Sequence, residues 1–147
     1  MPSASRLRFT LNVVLFTLAL NGAAQAARQP EPLFQTLQPA QNSLENYRWH
    51  KRLLVIFAPS DRDTDFIRQM ALLQQQQDAL RERDIVVLSD VRPADGGALR
   101  AQLNPAGFEI VLVGKDGGMK LRETRPVSAE ALLLLIDRMP MRQAGQN

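Results

Sequence analysis

The chain predicts an α/β fold with three layers, in which a four-stranded mixed sheet ends in a β-hairpin and a carboxyl-terminal helix. Three observations carry this. Leu53-Leu54-Val55-Ile56-Phe57 is an unbroken apolar run between Lys51-Arg52 and Pro59-Ser60-Asp61, too short for an ordinary helix and suited to a strand buried on both faces. A long amphipathic helix and a second apolar run at residues 84–88 follow it, the pattern of a parallel crossover. Gly114-Lys115-Asp116-Gly117-Gly118 then stands between two further strand-like runs, where its glycines tolerate a tight reversal.

The amino terminus reads as an export signal. Arg6 and Arg8 supply a positive start, residues 11–20 an apolar core, and Ala24-Gln25-Ala26 a small-residue cleavage site. The apolar core is about ten residues, against about 20 for a membrane span, so cleavage after residue 26 is expected rather than retention as an anchor. Arg6 and Arg8 are separated by Leu7, which does not match a twin-arginine signal, and no cysteine is present to carry a lipid. The expected address is the periplasm of a Gram-negative cell, otherwise secretion, with no stable membrane insertion once the signal is removed.

Removing 26 of the 147 residues leaves 121, a common size for one domain. The 18 Lys+Arg against 15 Asp+Glu become 16 against 15 without Arg6 and Arg8, so the basicity belongs partly to the signal. No basic cluster is interleaved with aromatics, and no nucleic acid is expected as a partner. The absence of cysteine removes thiol redox chemistry, cysteine nucleophiles and thiolate metal sites from this chain. His50 is the only histidine, and its neighbours Trp49, Lys51 and Arg52 mark the entry to a strand rather than a catalytic triad.

In chain order, residues 27–43, with Pro30, Pro32 and Pro39, show no sustained periodicity and read as a linker. Residues 44–49 form a short helical or turn segment whose Leu44, Tyr47 and Trp49 cover a core edge. After the central strand, Asp63 or Thr64 caps a helix with Phe66, Ile67, Met70, Leu73 and Leu80 at three- and four-residue spacing. One helix is predicted to run through Gln74-Gln75-Gln76-Gln77 to about Arg83. A weak helical piece spans 98–103, and Asn104-Pro105-Ala106-Gly107 turns into a strand at 108–113. Residues 119–124 return as the fourth strand. Lys115, Lys120 and Arg122 are read as charges protecting a solvated edge, in preference to an anion site. Ser128 caps the last helix, with Glu130 in its first turn and residues 132–136 directed at the sheet. Met139 and Met141 are soft donors, but two methionines without a methionine- or histidine-rich context do not make a copper site. The domain is placed at 44–142, with a tail at 143–147.

This element order is thioredoxin-like, and particular residues carry a closer likeness. Tyr47-Arg48-Trp49, the run from Arg52 to Pro59, Gly114-Lys115-Asp116-Gly117-Gly118-Met119-Lys120-Leu121 and Ile136-Asp137-Arg138-Met139-Pro140-Met141-Arg142 resemble a thioredoxin-like domain of unknown function (DUF4174). That domain is shared by small exported bacterial proteins and is related to domains of vertebrate extracellular matrix and sushi-repeat-containing proteins. The resemblance implies a peroxiredoxin- or thioredoxin-type fold without an established activity. The dithiol of a thioredoxin would fall at Ser60-Asp61-Arg62-Asp63, and its cis-proline near Glu109; neither is present.

Two functions follow as expectations. The first is a non-catalytic binding module, with no catalytic residue and no cofactor, that holds an envelope or extracellular protein or a small ligand. Its face would be built from Ser60, Asp61, Asp63, Phe108 and Glu109, with acidic side chains projecting from a rigid scaffold. The alternative is a divalent-metal-dependent or acid/base enzyme using Asp61, Asp63 and Asp65, since hard cations favour carboxylate oxygen. The calcium-loop pattern fails where it needs glycine and finds Phe66, and where it needs glutamate and finds Leu72.

Overall fold

The structure is a computed structural model that describes residues 30–145, and from Glu31 onward these form one compact unit. The expected signal segment, residues 27–29 and the last two residues lie outside the described residues. The central run becomes β2 (Arg52–Phe57), every residue of which is buried. It lies parallel to β3 (Ile85–Asp90) and antiparallel to β4 (Glu109–Val113), and β4 continues antiparallel into β5 (Met119–Glu123).

The sheet has five strands rather than four, in the order β1-β3-β2-β4-β5. The added strand, β1 (Phe34–Thr36), comes from the segment read as a linker and pairs parallel with β3. Leu33 and Leu37 flank it and are buried. A three-residue strand has too few alternations to be seen in sequence; the edge of β3 orders it. Val87 N–H donates to the Leu33 carbonyl at 2.7 Å, and Leu37 N–H to the Ser89 carbonyl at 2.9 Å.

The single helix expected after β2 is two. α1 (Thr64–Gln74) is capped by Asp63, which accepts from Phe66 N–H at 2.9 Å, and α2 (Gln77–Glu82) begins after a break at Gln75-Gln76. No apolar side chain between Leu73 and Ala79 anchors the glutamine run to the core, so the helix yields there, while Leu73 and Leu80 both remain buried. The weak helical piece is α3 (Ala98–Leu103), and the carboxyl-terminal helix is α4 (Ala129–Asp137), followed by the short α5 (Pro140–Gln143). Ser128 caps α4 as expected, accepting from Ala131 N–H at 3.2 Å.

Alternation along β2 divides the core into two layers. Leu54, Ile56 and Ala58 join Val87, Ile110 and Leu112 on one face, where Leu73, Leu80, Leu132 and Ile136 cover them from the helices. Leu53, Val55 and Phe57 face the other side with Val86, Leu88 and Val111, and only Leu37, Leu99 and the partly buried Leu44, Tyr47 and Leu103 cover them. The second face therefore has the thinner roof, and the cavity described next opens beneath it.

Candidate functional site

The carboxyl end of β2, where an α/β sheet usually presents its chemistry, is held closed. Arg100 from α3 donates from Nη2 to the carbonyls of Ala58 (3.0 Å) and Asp90 (2.8 Å), and from Nε to Asp90 Oδ2 at 2.9 Å. Its guanidinium also lies 5.4 Å from the Phe57 ring centroid. Two strand ends, one carboxylate and an aromatic face are thereby tied to a single side chain. Ser60 Oγ accepts from Arg62 N–H at 3.2 Å, and the Asp63 carboxylate is occupied as the α1 cap.

Glu109 was expected to project from this face and does not. It is buried and paired with Arg122, whose Nη2 also donates to the Leu103 carbonyl at 2.7 Å. It stands in β4 opposite Phe57. Phe108 is buried in the core. Pro59 and Asp61 remain exposed, so the face offers fewer free carboxylates than the sequence suggests. Among the described residues no group of three or more His, Cys, Asp or Glu side chains could hold a metal ion, and no peptide bond is cis.

The opposite end of β2 gathers the residues that carry the family likeness. Lys115, read as part of a solvated edge, is buried, with Nζ 2.9 Å from Asp84 Oδ2. Its carbonyl accepts from Trp49 N–H at 2.6 Å. Trp49, expected to pack at a core edge, is instead 56 % exposed: a left-handed φ of 67° turns its ring outward, where the Arg48 guanidinium lies 5.0 Å from the ring centroid. Asp116 accepts from Gly118 N–H at 2.9 Å and pairs with Lys120 at 2.8 Å. Gly117 has a φ of 83°, the left-handed conformation that favours glycine in this turn.

Arg83 binds Asp137 through a two-pronged contact, Nε to Oδ1 and Nη2 to Oδ2, both at 2.8 Å; Arg142 Nε adds a third donor to Oδ1 at 3.3 Å. Arg142 Nη2 also reaches Glu82 at 2.9 Å, which joins α5 to α2. Hydrogen bonding from Arg83, reinforced by its charge and by Arg142, holds the Asp137 carboxyl below the usual carboxylate range. Because the folded pKa is depressed, the stability Asp137 contributes is complete above the unfolded value of about 3.9 and is lost as pH falls through the folded value. Asp137→Asn is expected to cost about 1–2 kcal/mol at neutral pH and to flatten the acid limb of a stability profile measured by urea unfolding. An unchanged acid limb would show that this pairing does not govern it.

An apolar concavity opens on the thinly roofed face. A cavity of about 310 Å³ is floored by Leu53, Val55, Val111 and Val113 and walled by Leu44, Tyr47, Leu99, Leu103 and Met119. Arg48, Lys51, Glu45 and Gln102 also line it and supply its polar groups. Burial, with the charge of Glu31 behind it, raises the Tyr47 phenol above its ordinary pKa and keeps it neutral. The volume lies at the small end of the range for ligand pockets, and an apolar floor with few polar groups is their usual make-up. Sequence reading missed this cavity because its walls come from four separated segments. The signal available was the odd-numbered face of β2, Leu53 and Val55, with only the short, weak α3 to cover it.

A family model described as a domain of unknown function (DUF4174) matches residues 43–145. The chain is 29 % identical over 133 residues to coiled-coil domain-containing protein 80 of Danio rerio, covering 70 % of this chain and 15 % of that protein. It is 32 % identical over 117 residues to the sushi repeat-containing protein SRPX of Rattus norvegicus, covering 68 % and 25 %. The chain thus spans a quarter or less of the length of these relatives. A reduced 2-Cys peroxiredoxin of Plasmodium vivax superposes with a TM-score of 0.54 at 17 % identity, covering 69 % of this chain and 84 % of that one. Thioredoxin peroxidase I of Plasmodium yoelii gives 0.52 at 16 %, covering 71 % and 81 %. These likenesses establish a thioredoxin-like fold.

Proposed function

From the premise that this chain belongs to the DUF4174 family, with a thioredoxin-like fold and no cysteine, we propose that it is an exported, non-redox binding module whose ligand is a small amphipathic anion. The observation that carries the reading is the cavity of about 310 Å³ with an apolar floor and two cations, Arg48 and Lys51, among its lining groups. The floor takes an apolar body, and the cations attract a negative head by exchanging weak, solvent-exposed pairs with Glu45 (3.4 Å) and Glu31 (3.9 Å). The face built from Ser60, Asp61, Asp63, Phe108 and Glu109 becomes the secondary surface, because Ser60, Asp63 and Glu109 are already engaged with Arg62 N–H, Phe66 N–H and Arg122. Export is supported by the arginines and apolar core of the amino terminus and by Ala24-Gln25-Ala26. Among the described residues no helix is long and apolar enough to cross a membrane.

The test uses anilinonaphthalene sulfonate, an amphipathic anion that fluoresces when its rings leave water. The parent is expected to bind it saturably. Val113→Phe, which extends a half-buried cavity residue into open volume, is expected to weaken binding about tenfold while changing stability by no more than about 1 kcal/mol. Equal binding by both proteins, or none by the parent, would remove the cavity from consideration. The same protein, recovered from the envelope of an exporting bacterial host, tests the address: its expected first residue is Ala27.

A further inference from the structure

Arg52 opens β2 with a side chain only 1 % exposed. Its Nη1 donates to the Arg83 carbonyl at 2.9 Å, but Nε and Nη2 are buried without a protein acceptor. These two nitrogens form one edge of the guanidinium, and two parallel N–H groups on such an edge match the two oxygens of a carboxylate. The molecule shows the match a short distance away, where Arg83 holds Asp137 through the same edge at 2.8 Å on both prongs. Burying an ion and two donors without partners is costly, and burial accordingly lowers the Arg52 pKa from its ordinary value.

Arg52 lines a cavity of about 40 Å³ whose other walls are Gly114, Lys115, Asp116, Lys120 and Met139-Pro140-Met141. Three cations and one carboxylate line this space. Lys115 is bonded to Asp84 and Lys120 to Asp116. Asp84 and Asp137 act on Arg52 only through their fields, so Arg52 is the one cation of this lining with no carboxylate bonded to it. The cavity is small, a few times the roughly 10–15 Å³ that one water needs, so it admits a small ion and excludes anything drug-sized. Nε and Nη2 are sealed from solvent in this conformation, and an ion reaches them only as the Lys120 side chain or Met139-Pro140-Met141 gives way.

We propose that Arg52 and this cavity form a receptor for a compact carboxylate, bound two-pronged on Nε and Nη2 between the Gly114–Lys120 turn and Met139-Pro140-Met141. The site is separate from the larger cavity on the sheet face. It gives three of the four sequence runs that carry the family likeness a shared purpose: the first residue of one is Arg52, another supplies Lys115 and Lys120, and the third an apolar lid.

The test is a melting series of the full chain in sodium formate, sodium acetate and sodium chloride at constant ionic strength. Formate is expected to raise the melting temperature along a saturation curve, with acetate weaker as the methyl group meets the lid and chloride without a saturable effect. Arg52→Met, which replaces the buried ion by an apolar chain of similar length, is expected to lose the formate response and to match or exceed the parent's stability without salt. Lys120→Gln, at a partly exposed position, is expected to weaken formate several-fold. Equal responses in parent and Arg52→Met overturn the site, and equal curves for chloride and formate overturn the two-pronged carboxylate. No saturable response at all means that water alone fills the cavity. Should Arg52→Met fail to fold, the Arg52 Nε–H resonance of the parent, assigned through its bonded neighbours, carries the same decision: it moves along the formate saturation curve or the proposal fails.

Discussion

Arg100→Met is expected to lower the free energy of unfolding by about 3–5 kcal/mol, the cost of removing one partner from a buried ion pair. Asp90 is the group left behind. Its side chain is 9 % exposed, and without Arg100 it keeps the bond from Arg92 N–H, at 3.0 Å from Oδ1. The Ala58 and Asp90 carbonyls lose a donor in the same step, and Phe57 loses the cation over its ring. Urea unfolding at neutral pH measures the loss. In Arg100→Met/Asp90→Asn the uncompensated carboxylate is gone, so the double variant is expected to recover part of what the single variant loses. A single-variant loss below about 1 kcal/mol, or no recovery in the double, would mean that the tie across the strand ends is incidental.

That tie marks a boundary in what a sequence discloses. The central strand, the crossover, the hairpin and the capped last helix were all legible, because each depends on neighbours within a few residues: an apolar run, a three-to-four spacing, a glycine-rich reversal, a serine before an amphipathic stretch. β1 was not, because its three residues take their order from the edge of β3 and leave no period of their own. The break at Gln75-Gln76 lay inside a run with good helical propensity and became visible only where the apolar stripe lost its anchor.

The site was less legible than the fold, for the same physical reason. Glu109 and Lys115 both look like surface charges in a linear reading; each is buried because a partner distant in sequence, Arg122 or Asp84, neutralises it. The motifs pointed to the family from sequence alone, but the small cavity that Arg52 shares with the Gly114–Lys120 turn and Met139-Pro140-Met141 needs the β2 start, the hairpin and the α4–α5 junction brought to one place. The larger cavity, likewise, is a property of how thinly α3 and the segment around Leu44 and Tyr47 cover the sheet.

Gln69→Leu is expected to destabilise by about 1–3 kcal/mol although leucine is the more apolar residue and the volumes are similar, because both backbone groups of the half-buried Val127 lose hydrogen bonds worth about 0.5–1.5 kcal/mol each. Gln69 is fully buried in α1, an unusual place for an amide. Its Nε2 donates to the Val127 carbonyl at 2.9 Å and its Oε1 accepts from Val127 N–H at 2.8 Å, so one side chain satisfies both backbone groups of a residue 58 positions away. This fixes the entry to α4, and amide exchange at Val127 is expected to accelerate in the variant. Gln69→Glu separates the two bonds. Ionised, the carboxylate still accepts from Val127 N–H but faces the Val127 carbonyl without a proton to offer; protonated, it can donate as the amide did. Folding then favours the protonated acid and raises its pKa, so its destabilisation is small below the unfolded glutamate value of about 4.3 and grows as pH rises above it. The difference in stability between parent and Gln69→Glu should therefore widen between about pH 4 and pH 7, whereas for Gln69→Leu, which has nothing to titrate, it should stay constant over the same range. A constant gap for Gln69→Glu would show that the carboxyl escapes to water and that Val127 is not held as the structure places it.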